Sequence, residues 1–142
     1  MDPVSVGIAT YKATVAVGGF LLYRDAVLTV INESKHAVSA AVCLGNRGSS
    51  YSFGWINIDA GHRFGMEFPV LRSGQDLVIH AQSQNGRYKW QGDTYFYVLQ
   101  PAKFGIKNAR LESAQLVSGV GRMTTVGGDL HRMSDDFTYR LT

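Results

Sequence analysis

Apolar and polar positions alternate in short bursts along most of this chain, and punctuating turn residues recur about every ten positions. Ala26–Ile31 is a β-rich run, Asn32–Lys35 a polar turn, and His36–Leu44 a second run, a pattern that predicts a β-hairpin. In the second run Val38, Ala40 and Val42 alternate with Ser39, Ala41 and Cys43, so both faces are largely apolar, as in the centre of a sandwich. After the loop Gly45–Ser50, Tyr51–Ile58 places Tyr51, Phe53 and Trp55 at period two. Asp59–His62 then turns the chain and reads as a hairpin device. Arg63–Phe68 alternates again with Phe64, Met66 and Phe68 on one face, and Pro69 is expected to end that strand because it cannot donate to a ladder.

Further along, Arg72–Asp76 reads as a turn and Leu77–Ala81 as a short apolar strand. Asn85-Gly86 within Ser83–Arg87 is a strong hairpin signal. Tyr88–Gly92 is expected to pair back, and the alternation continues from Asp93 to Leu99. Pro101 closes it, and Phe104–Ile106 starts another strand. Arg110–Val117, a loop at Ser118–Gly121, Arg122–Val126, a turn at Gly127-Gly128-Asp129 and a last strand around Phe137–Leu141 complete the pattern.

Residues 4–22 read differently. Val4, Ile8, Tyr11, Val15 and Leu22 share one face at helical spacing, whereas the β-branched content and Gly18-Gly19 oppose a long helix. The expectation is a short helix or irregular segment over residues 4–17. Such an arm either packs on its own domain or seeks a membrane; with Lys12 as its one cation, packing is the better reading. The whole is therefore expected to be an all-β, single-domain antiparallel β-sandwich over residues 23–142, preceded by an N-terminal arm over residues 1–22.

Composition narrows the function classes. The 142 residues are 45% hydrophobic and 18% charged, enough to bury a core without covalent staples. The net charge of +3 is spread singly from Lys12 to Arg140, without the run or stripe of a nucleic-acid binder, so no nucleic acid is expected. Cys43 is the one cysteine; flanked by Ala41, Val42 and Leu44, it reads as a small core residue. No basic region opens the chain, and no run reaches transmembrane length, so a cytoplasmic location is expected. Asn32-Glu33-Ser34 is formally a glycosylation sequon.

Candidate chemistry is sparse. His36, His62, His80 and His131 lie far apart without close-spaced ligand partners, and no metal site or cofactor is expected. His80 reads as core or edge and His62 as an exposed turn residue. Asp135-Asp136 is the one acidic pair, and adjacent strand residues face opposite ways. Gly45–Ser50 lacks the Lys and trailing Ser/Thr of a phosphate loop, and no nucleophile elbow exists. The reading is not an enzyme. Aromatic residues are the remaining cue: Tyr51, Tyr88, Trp90 and Tyr95 are the candidate binding residues, and Trp55 the structural core anchor. The expected function is contact with a protein partner or a second copy; the alternative is a membrane-active or glycan-binding sandwich.

Leu28–Asn32, Ala40–Val42, Gly54–Gly61, Leu77–Ala81, Trp90–Asp93, Tyr95–Val98 and Phe104–Ile106 resemble, in order, the motifs of the small bacterial family DUF1036. The resemblance covers residues 27–106 and implies a β-rich fold but no activity. Where that family tends to carry cysteines, this chain has Arg63 and Tyr97. A weaker resemblance, through the N-terminal segment and Val30–Ser34, is to actinoporin-like pore formers; their aromatic lipid-headgroup cluster has no counterpart here.

Overall fold

The computed structural model describes residues 2–142, with the side chains of residues 18–20 left aside. The expectation for the arm at Met1 lies outside the described residues. Helix α1 spans Pro3–Gly19 and is followed by a 3₁₀ turn, Phe20–Leu22. The strands are β1 (Tyr23–Asn32), β2 (Val38–Leu44), β3 (Tyr51–Ile58), β4 (Arg63–Leu71), β5 (Gln75–Ser83), β6 (Lys89–Trp90), β7 (Thr94–Gln100), β8 (Phe104–Lys107), β9 (Gln115–Ser118), β10 (Arg122–Met133) and β11 (Phe137–Leu141). The fold is all-β and sandwich-like. A three-stranded sheet in the order β11-β1-β4 faces a curled eight-stranded sheet in the order β7-β10-β5-β2-β3-β8-β9, with β6 paired to β5. Pairing is antiparallel, as expected, apart from β11, which runs parallel to β1.

The large sheet is buried on both faces. On one side Val38, Ala40, Val42, Phe53, Leu77 and Ile79 form a first core with Leu28 and Val30 of β1, Phe68 of β4 and Val4, Tyr11 and Val15 of α1. On the other, Ala41, Cys43, Trp55 and Val78 form a second core with Phe96, Val98 and Leu99 of β7 and Phe104 and Ile106 of β8. This two-sided burial accounts for the nearly unbroken apolar run in β2.

α1 forms despite its β-branched content because packing outweighs propensity. Pro3 occupies its first turn, where a missing N–H costs nothing. Val4, Gly7, Tyr11 and Val15 are buried at helical spacing, with Ile8 partly so. Leu22 leaves this face and is exposed in the 3₁₀ turn.

Several local expectations fail for definable reasons. β1 and β2 are not a hairpin: β1 pairs with β4 and β11, and β2 with β3 and β5, so Glu33–Ala37 carries the chain between sheets. Asp59–His62 is likewise a crossing rather than a hairpin, because β3 and β4 belong to different sheets. Asn32 holds the two crossings together. Its N–H donates to His62 O at 2.9 Å, its O accepts from Gly61 N at 2.8 Å, and its buried Nδ2 donates to His36 O at 2.7 Å and Ile58 O at 3.0 Å.

Pro69 does not end β4. It pairs opposite Asp25 with the strand running on to Leu71, tolerated because β4 is an edge strand. Gly127-Gly128 is not a turn but lies within β10, which pairs with β7 up to Gly128 and with β5 from Asp129. Glycine is required there by close approach: a Cβ on Gly127 would lie 2.4 Å from Gly92 O, and one on Gly128 2.4 Å from a Val78 methyl. Asn108–Ala114 is a series of turns, so the strand expected from Arg110 begins only at Gln115. The Asn85-Gly86 turn does return β6 onto β5, through Ala81↔Trp90 and Gln82↔Lys89.

Trp55 breaks its expected alternation. β3 pairs Phe53 with Val42 and Ile56 with Ala40, so two residues, Gly54 and Trp55, stand opposite Ala41 alone. This bulge turns Trp55 to the second core while Tyr51 and Phe53 face the first.

Candidate functional site

The aromatic residues expected to bind are not gathered into one surface. Tyr51 is buried, its ring 5.2 Å from that of Tyr11 and its hydroxyl 3.0 Å from Thr14 Oγ1, because α1 covers this part of β3. A ring buried in this way cannot present itself to a ligand, so Tyr51 does not take the binding role expected of it. Tyr88 is half-exposed and stacks on His36 at 4.3 Å. Trp90 is partly buried against the first core, its indole N–H donating to Thr142 O at 3.1 Å. Tyr95 is exposed and lies over Gly127, its cross-strand partner. Trp55 is buried, with its indole N–H donating to Leu99 O at 2.7 Å.

The titratable candidates are equally dispersed. Cys43 is fully buried, and burial pushes its thiol up to about 12. The buried His80 ring is held at both nitrogens, by Gly127 O at 2.9 Å and Gln82 Oε1 at 3.2 Å. His62 is exposed in its turn, 3.8 Å from Asp59. Asp135 and Asp136 sit in a solvated loop, one beside Arg24 and the other accepting from Val27 N. Asp129 accepts from Tyr139 at 3.0 Å and contacts His131 at 3.0 Å. Burial, then Asp129, raises the Tyr139 hydroxyl to about 12, which keeps it a donor. Asp76 joins Arg110 at 2.6 Å and Arg132 at 3.3 Å, bridging β5, β10 and the turns after β8.

What the structure does gather is apolar surface at the end of α1. Val17, Leu21 and Leu22 are 91%, 76% and 63% exposed. Of these, Leu21 lines an open cleft of about 620 Å³ between the last turns of α1 and strands β1 and β4. Val15, Ala16, Leu21, Tyr23 and Pro69 give it apolar walls, and Lys12, Arg24, Arg72, Asp25 and Glu67 also line it. Helical spacing placed Leu22 on the face of Val4, Ile8, Tyr11 and Val15, but Leu21 and Leu22 lie in the 3₁₀ turn beyond α1, where that period no longer holds and both side chains are exposed. No helix among the described residues is long and apolar enough to cross a membrane. The chain matches no family model, no curated protein and no solved structure.

Proposed function

We propose that this chain is a non-catalytic binding protein whose main contact is with protein, and first with a second copy of itself. The observation that carries this reading is the exposure of Val17, Leu21 and Leu22 at the end of α1, with Leu21 lining the cleft. Exposed large apolar side chains gathered in one place mark contact surfaces, whereas singly scattered ones do not. The rim carries both signs of charge. In a two-fold contact the same patch meets itself, so a mixed rim can pair its own cations with its own carboxylates. Three cations and two carboxylates leave the rim with little net charge, so it lacks the basic cluster that draws a surface to an anionic bilayer.

Sheet edges are the weaker route. β4 presents Arg63, Glu67 and Pro69, devices that discourage strand addition, and β9 and β11 are short. Light scattering over a concentration series tests the proposal. The unmodified chain is expected to dimerise with rising concentration, and a Leu21→Ser/Leu22→Ser variant to remain monomeric. An unmodified chain that stays monomeric to its solubility limit overturns self-association. Co-sedimentation of that monomer with phosphatidylserine vesicles, lost in the variant, assigns the patch to a membrane instead.

A further inference from the structure

The mouth of the second core forms a separate pocket. Ser39 stands opposite Asn57 of β3 and opposite Gln82 of β5, so the three side chains form one polar row across three adjacent strands, on the Trp55 face of the sheet. Trp55 and Pro101 supply the apolar part, and Gln100 lines the wall where β7 ends. The pocket measures about 310 Å³ and is open to solvent. Its size falls at the small end of ligand sites, which run from roughly 300 to 1,000 Å³.

The polar groups are held in place by the fold. Ser39 Oγ–H donates to Asn57 Oδ1 at 2.8 Å, and the Asn57 Nδ2 amine is left without a protein acceptor among the described residues. Gln82 is fixed by His80 at 3.2 Å, and His80 by Gly127 O, so one end of the Gln82 amide is committed and the other faces outward. The lining contains no carboxylate, and Lys103 is its one charged group. A purely apolar ligand would strip these amides of water without replacing their hydrogen bonds. A metal ion would find neither carboxylate nor imidazole in the lining. A neutral polyhydroxylated ring fits: the Asn57 and Gln82 amines offer donors to vicinal hydroxyls, Gln100 adds a further amide, and Pro101 with the small part of Trp55 that lines the pocket meets the C–H face of the ring.

From this geometry we infer that the pocket framed by Ser39, Asn57, Gln82, Gln100, Trp55 and Pro101 binds a neutral saccharide unit. It is distinct from the α1 patch and does not rest on self-association.

The test is an NMR titration of the full chain with glucose, galactose, mannose and N-acetylglucosamine, following the side-chain amides of Asn57, Gln82 and Gln100. At least one sugar is expected to shift these resonances saturably. Asn57→Ala, an exposed position whose loss leaves the fold intact, is expected to weaken binding by about tenfold, the cost of one lost hydrogen bond. Ser39→Ala, which frees the Asn57 amide, is expected to weaken it less. No saturable shift with any of the four sugars overturns the proposal, as does an unchanged affinity in Asn57→Ala. Glucuronate is the control for charge: binding that exceeds every neutral sugar and disappears in Lys103→Ala also overturns it.

Discussion

Gly7 and Gly105 meet backbone to backbone: a Cβ on Gly7 would fall 2.7 Å from the Gly105 Cα, and one on Gly105 2.6 Å from the Gly7 Cα. This contact brings α1 down onto β8, and Ser118 Oγ of the adjoining β9 also donates to Pro3 O at 2.5 Å. Neither backbone can yield locally, since one is hydrogen-bonded in a helix and the other in a central strand. Gly7→Ala and Gly105→Ala are each expected to destabilise the chain by about 1–3 kcal/mol, the range for overpacking a tight core. Urea unfolding measures the loss, and limited proteolysis within residues 3–22 shows whether α1 lifts from the sheet. An unchanged unfolding midpoint in both variants would contradict the packing described.

The strands themselves were legible because their chemistry is local: β-branched and aromatic runs bounded by Gly, Asn and Asp give β5, β8 and the Asn85-Gly86 hairpin in place. Partner choice was not legible. Glu33–Ala37 and Asp59–His62 are short polar turns, and such a turn looks the same whether the chain stays in its sheet or crosses to the other. The sign of crossing was Asn32, a buried amide bonded to both turns, and burial is not visible in sequence. Trp55 lies in the second core and not on the face its period-two spacing shares with Tyr51 and Phe53, because one bulge residue inverts every later position. The saccharide pocket was invisible for the same reason: Ser39, Asn57 and Gln82 become neighbours only through register.

Trp55 and Leu99 make a second testable link between layers. The indole N–H is bonded inside the second core, so Trp55→Phe removes the donor and leaves the buried Leu99 carbonyl unpaired. An orphaned buried acceptor costs about 1–3 kcal/mol. The substitution is expected to lower the thermal midpoint and to remove the more blue-shifted of the two tryptophan emissions, since Trp90 is only partly buried. Loss of the red-shifted component instead would reverse the assignment.

Asn32 is expected to be the most sensitive polar residue in the crossings. Besides its two donated bonds, its Oδ1 accepts from Ser34 N at 3.0 Å and Ser34 Oγ at 2.6 Å. Asn32→Asp keeps the acceptor but turns the donor side into an oxygen facing the carbonyls of His36 and Ile58. That variant is expected to be less stable at neutral pH than Asn32→Ala, because it adds an unpaired buried charge to the lost bonds. Urea denaturation of both variants, repeated under acid conditions, checks this. The Asp variant should recover relative to Ala as its carboxyl protonates, and equal stability of the two at neutral pH would refute the account. The same burial closes the formal sequon, because the Asn32 amide is inaccessible in the folded chain.

Alkali should unfold this protein through three groups. Burial raises Cys43 from 9.0 to about 12 and Tyr11 from 10.0 to about 12; Tyr139 rises to about 12 through burial and Asp129. In each case the folded chain holds its proton more tightly than the unfolded one. The associated stability is therefore fully present below the unfolded value and is lost as pH rises toward the folded value. Loss is expected to begin near pH 9 through Cys43 and to steepen above pH 10 as the two tyrosines join. While the Cys43 thiol is ionised only in the unfolded chain, the slope from this group is about 1.4 kcal/mol per pH unit. Cys43→Ala should move the onset from near pH 9 to near pH 10 without altering the steeper phase. Urea midpoints measured from pH 8 to pH 11.5 test this. A flat profile in the unmodified chain, or the same onset in both proteins, would show that the thiol is not sealed in the second core.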